Sequence, residues 1–228
     1  MRFLGTLINA GTVVVGSLVG LFFHAKLPRR LSTVAFQGIG LFTLFIGFSM
    51  AAKTRSFIIL VFSIVLGAIL GELLDIDTYL NRFGELLKRR LKSGNERFAE
   101  GMVAAFLLFC MGSMTVLGAI EEGMGGRPNL LAAKSVLDGF ASVALSASLG
   151  IGVLFSVIPL LLYQGGLTLF AGSLKAAVSG AVVNEITAAG GLILIGLGIS
   201  ILEIKQLKVL NMLPALVIAG VLAGIFLH

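Results

Sequence analysis

The sequence predicts an all-α membrane protein: a polytopic bundle of about eight transmembrane helices carrying an inverted three-helix repeat. Three observations predict it. Hydrophobic residues make up 57% of the chain and charged residues only 12%. Apolar runs of about twenty residues, the length that crosses a bilayer as a helix, follow one another from Leu4 to Leu227. Glycine and amide residues recur in register between the first and last spans.

The first run, Leu4–Phe23, follows a single Arg2 and lacks the short core and small-residue cleavage site of a secretory signal, so it reads as a retained span. Further spans are expected at Val34–Ala52, Phe57–Leu74, Gly101–Ala119, Ser135–Val153, Pro159–Leu174, Ile186–Leu202 and Leu210–Leu227. The boundary between the fifth and sixth rests on Gly150, Gly152 and Pro159 alone. A transmembrane barrel needs short segments of alternating polarity, and these runs are continuously apolar. A soluble domain needs a polar exterior that a chain with mean hydropathy +1.07 does not supply.

Charge orients the bundle. With the amino terminus outside, one side collects Lys26, Arg29, Arg30, Lys205, Lys208 and the basic residues of 75–100, eleven in all, against six on the other side. That asymmetry matches the excess of Lys and Arg in cytoplasmic loops, and it puts both termini outside. The portion from Glu85 to Lys92 reads as a basic amphipathic helix at the membrane surface, a topology anchor touching anionic headgroups or a partner-binding element. The net charge of +6 therefore serves topology, and no nucleic acid is expected as partner.

The repeat divides the chain into a first three-helix unit (1–74), a basic loop (75–100), a central helix pair (101–158) and a second three-helix unit (159–228). Asn9 and Gly11 fall on Gln164 and Gly166, Gly40 and Gly47 on Gly191 and Gly198, and Gly67 and Gly71 on Gly220 and Gly224, at offsets of 151 to 155 residues. Two intervening spans make the repeat inverted, as in many secondary transporters. Chance matching of Gly-rich and Leu-rich sequence is the alternative. Glycines one turn apart, at Gly16 and Gly20, Gly67 and Gly71, and Gly220 and Gly224, predict close helix crossings, within one chain or at a homodimer face.

Function is sought among groups that are costly in hydrocarbon. Asp138 leads: its carboxylate reads either as a cation or metal ligand, with Ser142 one turn on, or as the i, i+4 partner of Lys134. Asn9, Gln37 and Gln164 are amides inside or at the mouth of apolar runs, and they read as an ion-binding constriction or as helix-to-helix hydrogen bonds. Glu121, Glu122 and Glu185 read as entrance residues that concentrate cations, with a solvated loop as the plainer reading. Cys110, Met111 and Met114 are soft-metal ligand types that also serve as packing residues. A single cysteine excludes an intramolecular disulfide. His24 and His228 lie far apart, and there is no triad, phosphate loop or zinc motif, so neither catalysis nor a cofactor is expected.

The segments Cys110-Met111-Gly112-Ser113-Met114-Thr115, Gly118-Ala119-Ile120-Glu121-Glu122-Gly123 and Lys134-Ser135-Val136-Leu137-Asp138-Gly139 resemble the bacterial domain of unknown function 554 family. The likeness continues through Gly150–Ser156 and Gln164-Gly165-Gly166 to Asn184-Glu185, over nearly the whole chain. It implies an inner-membrane protein of a family often labelled as transporters, with no established substrate. Leu137-Asp138-Gly139-Phe140-Ala141 and the run Gly190–Gly196 are also similar to the manganese efflux pump family, which implies a metal-binding role for Asp138 alone. The expected function is transport of a small inorganic ion, a cation before an anion, by alternating access. A dimeric ion channel and a non-transporting scaffold or sensor are the rival readings.

Overall fold

The computed structural model describes residues 3–24, 29–90, 97–172 and 179–227. It is helical throughout, with no strand among the described residues. The elements are α1 (Leu4–His24), α2 (Arg29–Ala51), α3 (Phe57–Leu73), α4 (Ile76–Arg90), α5 (Phe98–Cys110), α6 (Ser113–Gly123), α7 (Asn129–Leu149), α8 (Gly152–Phe155), α9 (Val157–Leu169), α10 (Gly180–Ile201) and α11 (Pro214–Phe226), with a 3₁₀ turn at Val209–Met212.

Five stretches are long and apolar enough to cross a membrane: Leu4–Phe23, Asn129–Leu149, Gly152–Leu169, Gly180–Ile201 and Val209–Phe226. The α5 and α6 pair adds a sixth if its two halves form one broken span. Two shorter apolar helices, Gln37–Ala51 and Phe57–Leu73, accompany them. The protein is therefore multi-pass, with five to six candidate spans by length and composition among the described residues; eight were expected.

The differences have local causes. The expected span Gly101–Ala119 is broken between Cys110 and Ser113 and bent by 65°. Thr115 Oγ1 donates to the Phe109 carbonyl at 2.9 Å, taking an acceptor that a straight helix would use for its own ladder. The expected fifth span starts earlier, after Pro128, and ends at Leu149 because Gly150 adopts φ +79°. Pro159 sits in the first turn of α9, where its missing N–H breaks no ladder bond. Serines at the helix entrances act as caps: Ser56 accepts from Ile59 N–H at 3.4 Å, and Ser179 accepts from Val182 N–H at 3.3 Å. The amphipathic surface helix begins earlier than expected, as α4, with Asp77 in its first turn and Lys88, Arg89 and Arg90 in its last, a charge order that suits the helix dipole. Lys92 lies outside the described residues.

Two compact units form. The first comprises Met1–Ile39, Gly84–Cys110 and Met114–Leu174; the second comprises Gly40–Phe83, Met111–Ser113 and Lys175–His228. In the first, α1 crosses α7 closely: a Cβ at Gly16 would run into the Gly139 carbonyl, and one at Gly20 into the Val143 carbonyl. In the second, α3 approaches α11 and the turn before it, so that a Cβ at Gly67 would meet Ala215 and one at Gly71 the Asn211 carbonyl. Gly220 and Gly224 differ from expectation, since their Cβ positions lie 3.2 Å from Ile186 and 4.0 Å from Val182, room enough for little or no displacement.

Candidate functional site

Within the first unit, α1, α7 and α9 bring buried polar groups together. Asn9 lies one turn beyond Thr6 on α1, so both side chains share a face, and both are buried. Asn9 Nδ2 donates to Gln164 Oε1 on α9 at 3.1 Å. The Asp138 carboxylate of α7 lies beside the Asn9 side chain. Gln164 Nε2 in turn donates to Thr6 Oγ1 at 3.4 Å. One oxygen in this cluster stays unpaired: Asn9 Oδ1 is buried with no hydrogen-bond partner. An orphaned acceptor of that kind is uncommon in a folded interior and marks a place where a donor or a cation belongs.

Asp138 is 7% exposed and forms an ion pair with Lys134, itself 5% exposed and one turn earlier on α7. A lone charge would be prohibitively costly in such surroundings, and the pair compensates both. The Lys134 ammonium also lies 6.0 Å from the Phe109 ring centroid, at the outer limit of a cation–π contact. The polar line continues along the α1 and α7 helices, where the hydroxyls of Ser17 and Ser146 are buried without partners. An open groove of about 460 Å³ is lined by residues of the same two helices, among them Gly11, Val15, Gly139 and Phe140, and by none of Asn9, Asp138 or Gln164.

The remaining candidates are placed differently. Ser142 Oγ donates to the Gly139 carbonyl of its own helix at 2.7 Å and forms no part of the amide cluster. Gln37 is exposed on α2, outside the amide cluster. Glu122 is 1% exposed, which removes it from any solvated mouth. Its carboxylate accepts from Gly5 N–H, from Thr6 N–H at 3.3 Å and from Thr6 Oγ1 at 2.9 Å, closing the N-terminal end of α1. Glu185, in the second unit, is fully buried and accepts from Thr54 Oγ1 at 2.7 Å, Arg55 N–H at 2.5 Å and Ser56 N–H at 3.2 Å, just ahead of α3. Both glutamates are thus buried acceptors for backbone donors, where residues of a solvated mouth were expected. Glu121 is half-buried, with Oε2 buried and unpartnered. Among the described residues no three His, Cys, Asp or Glu side chains gather as a metal site around Asp138 or elsewhere. Thr6 was not singled out from the sequence; its position one turn before Asn9 was the available signal.

A many-spanned α-helical bundle with paired and amide-linked polar groups sealed inside defines an integral membrane protein whose polar chemistry is internal. More particularly, the family model of a protein of unknown function, DUF554, matches residues 4–224, and the chain belongs to that family. It is 31% identical over 221 residues to the "Uncharacterized membrane protein YdfK" of Bacillus subtilis (strain 168), covering 95% of this chain and 94% of the relative. It is 34% identical over 221 residues to the "Uncharacterized protein YqgA" of Escherichia coli (strain K12), with the same coverage of both chains. No solved structure matches. These comparisons do not extend to the manganese efflux pumps.

Proposed function

We propose that this protein is a transporter of a small inorganic cation in the bacterial inner membrane, with both termini outside, and that it is not an enzyme. The observation that carries the reading is the unpartnered Asn9 Oδ1, buried within a cluster that includes the Asp138 carboxylate. Two oxygens, one neutral and one charged, are the ligand type a hard cation takes in exchange for its hydration shell. Lys134 is the resident counter-charge. It balances Asp138 while no cation is bound and yields that place when one enters, so a charged carboxylate is never left alone at membrane depth.

Burial of the whole cluster supports a carrier that occludes its cargo rather than a continuously wet pore. The 151 to 155 residue offset that relates Asn9 to Gln164 supports alternating access by inverted repeats. Purified full-length protein in proteoliposomes, offered radiolabelled sodium, rubidium and manganese ions in turn, is expected to take up at least one faster than protein-free vesicles. Asp138→Asn is expected to lower that uptake about tenfold or more, a loss of ~1.4 kcal/mol or greater in the site's interaction with its cargo. Uptake of none of the three ions, or undiminished uptake by Asp138→Asn, overturns the proposal.

A further inference from the structure

The hydrogen bonds leading to Asn9 run in a single sense, and that sense is set at the opposite end of the chain of contacts. A backbone N–H can only donate. Because Gly5 N–H and Thr6 N–H both point at Glu122, its two carboxylate oxygens are held as acceptors. The Thr6 hydroxyl has one proton and gives it to Glu122 Oε2 at 2.9 Å. Its oxygen is left to accept, from Gln164 Nε2 at 3.4 Å and from the Thr168 hydroxyl at 3.5 Å. With its amide nitrogen turned to Thr6, Gln164 presents Oε1 to Asn9, which must answer with Nδ2 at 3.1 Å. Asn9 Oδ1 is then the atom left over, buried and unpartnered.

From this order of donors and acceptors we infer that Glu122 is a positioning residue that sets the cation preference of the Asn9 and Asp138 site, acting through Thr6 and Gln164. The inference rests on the reading of that cluster as a cation site. Glu122 touches no cargo. It dictates which end of each amide faces which neighbour, and so whether the last amide offers an oxygen or an N–H to whatever binds beside Asp138.

The effect of losing the second acceptor oxygen can be followed atom by atom. In Glu122→Gln the amide oxygen stays against Gly5 N–H, and the NH₂ group falls where Oε2 had faced the Thr6 hydroxyl, leaving Thr6 N–H without its acceptor. Thr6 now accepts there and turns its proton toward Gln164, whose amide reverses to meet it. Asn9 then reverses in turn, directing Nδ2 where Oδ1 had been. A cation meets a donor in place of an acceptor, which a buried site punishes heavily. Aspartate keeps two acceptor oxygens and therefore keeps the sense of the relay.

Two measurements read the consequence: uptake of sodium, rubidium and manganese ions by the full-length protein in proteoliposomes, and equilibrium binding of the same ions to the protein in detergent. For an ion that wild type carries, Glu122→Gln is expected to raise KM and Kd about tenfold or more with Vmax within about twofold, and Glu122→Asp to return both constants to within about threefold of wild type. Thr6→Val, which cuts the relay but leaves the backbone donors on Glu122, is expected to raise KM similarly and serves as the test should Glu122→Gln fail to fold. An unchanged KM and Kd in Glu122→Gln or Thr6→Val overturns the inference, as does equal loss of uptake in Glu122→Gln and Glu122→Asp. Wild type that binds an ion without carrying it overturns the transport reading, while weaker binding of that ion by Glu122→Gln still upholds the role of Glu122. Wild type that binds none of the three overturns both.

Discussion

The two units use one device for two ends. Each buries a glutamate against the backbone donors of a helix entrance, Glu122 at α1 and Glu185 at α3, and each packs a helix through two glycines one turn apart. In the second unit the hydrogen bonds of Glu185 stop at Thr54, Arg55 and Ser56, three consecutive residues ahead of α3. In the first, those of Glu122 pass through Thr6 to Gln164 and end at Asn9, beside the ion pair of Asp138 and Lys134. The difference teaches that a buried carboxylate is identified by what its partners touch next. Glu185 is a cap, and Glu122 is a cap wired to an interior site.

The ion pairs diverge as well, and that contrast offers the largest test. Lys134→Ala leaves Asp138 uncompensated in the interior and is expected to destabilise the protein by about 3–5 kcal/mol, read as a loss of melting temperature in detergent. A melting temperature equal to wild type would show that water already reaches Asp138 and that the unit is not sealed. Overpacking should then treat the units alike. Gly20→Leu against the Val143 carbonyl and Gly71→Leu against the Asn211 carbonyl are each expected to cost ~1–3 kcal/mol or more in denaturant titration, because backbone cannot yield as a side chain can. A cost in one unit alone would mean that only that crossing holds its helices rigidly.

Glu185→Gln removes one acceptor oxygen from three donors and is expected to cost ~1–3 kcal/mol of stability, with the KM of any carried cation unchanged. A raised KM would erase the distinction from Glu122. The smallest effect belongs to the pair of Lys208 and Glu72, which meet at 2.5 Å on the exposed rim of the second unit. The Glu72 carboxylate beside Lys208 holds its ammonium above the ordinary lysine range. A raised folded-state pKa contributes stability that is complete below the ordinary lysine pKa and fades as pH climbs through the raised value. Lys208→Met should therefore leave the melting temperature at neutral pH nearly unchanged, as expected of an exposed pair, and should flatten only its alkaline decline.

How far the sequence could be read follows from how local each signal is. Apolar runs, the serine caps and the i, i+4 pairing of Lys134 with Asp138 are written within a few residues, so they are visible in the chain. Asn9 and Gln164 were paired for a different reason, an expected register between two distant segments, and their side chains do meet. The break after Cys110 was not legible, since it depends on the Thr115 hydroxyl choosing the Phe109 carbonyl over solvent or its own turn. Glu122 and Glu185 misled most. A glutamate beside glycines suggests a wet loop, whereas the partners that bury these two are backbone N–H groups 116 and 129 or more residues away, which every sequence possesses and none advertises. Thr6 was overlooked because a threonine in an apolar run is ordinary until something is seen to hold its proton.

The elbow between α5 and α6 has one more consequence. The only sulfhydryl in the chain, Cys110, closes α5 at that bend and is fully enclosed. A membrane-permeant alkylating reagent can reach it only during excursions that part the elbow from its packing. The rate of alkylation is therefore a native stopwatch for opening, and every substitution described above can be timed at that one position without introducing a foreign label.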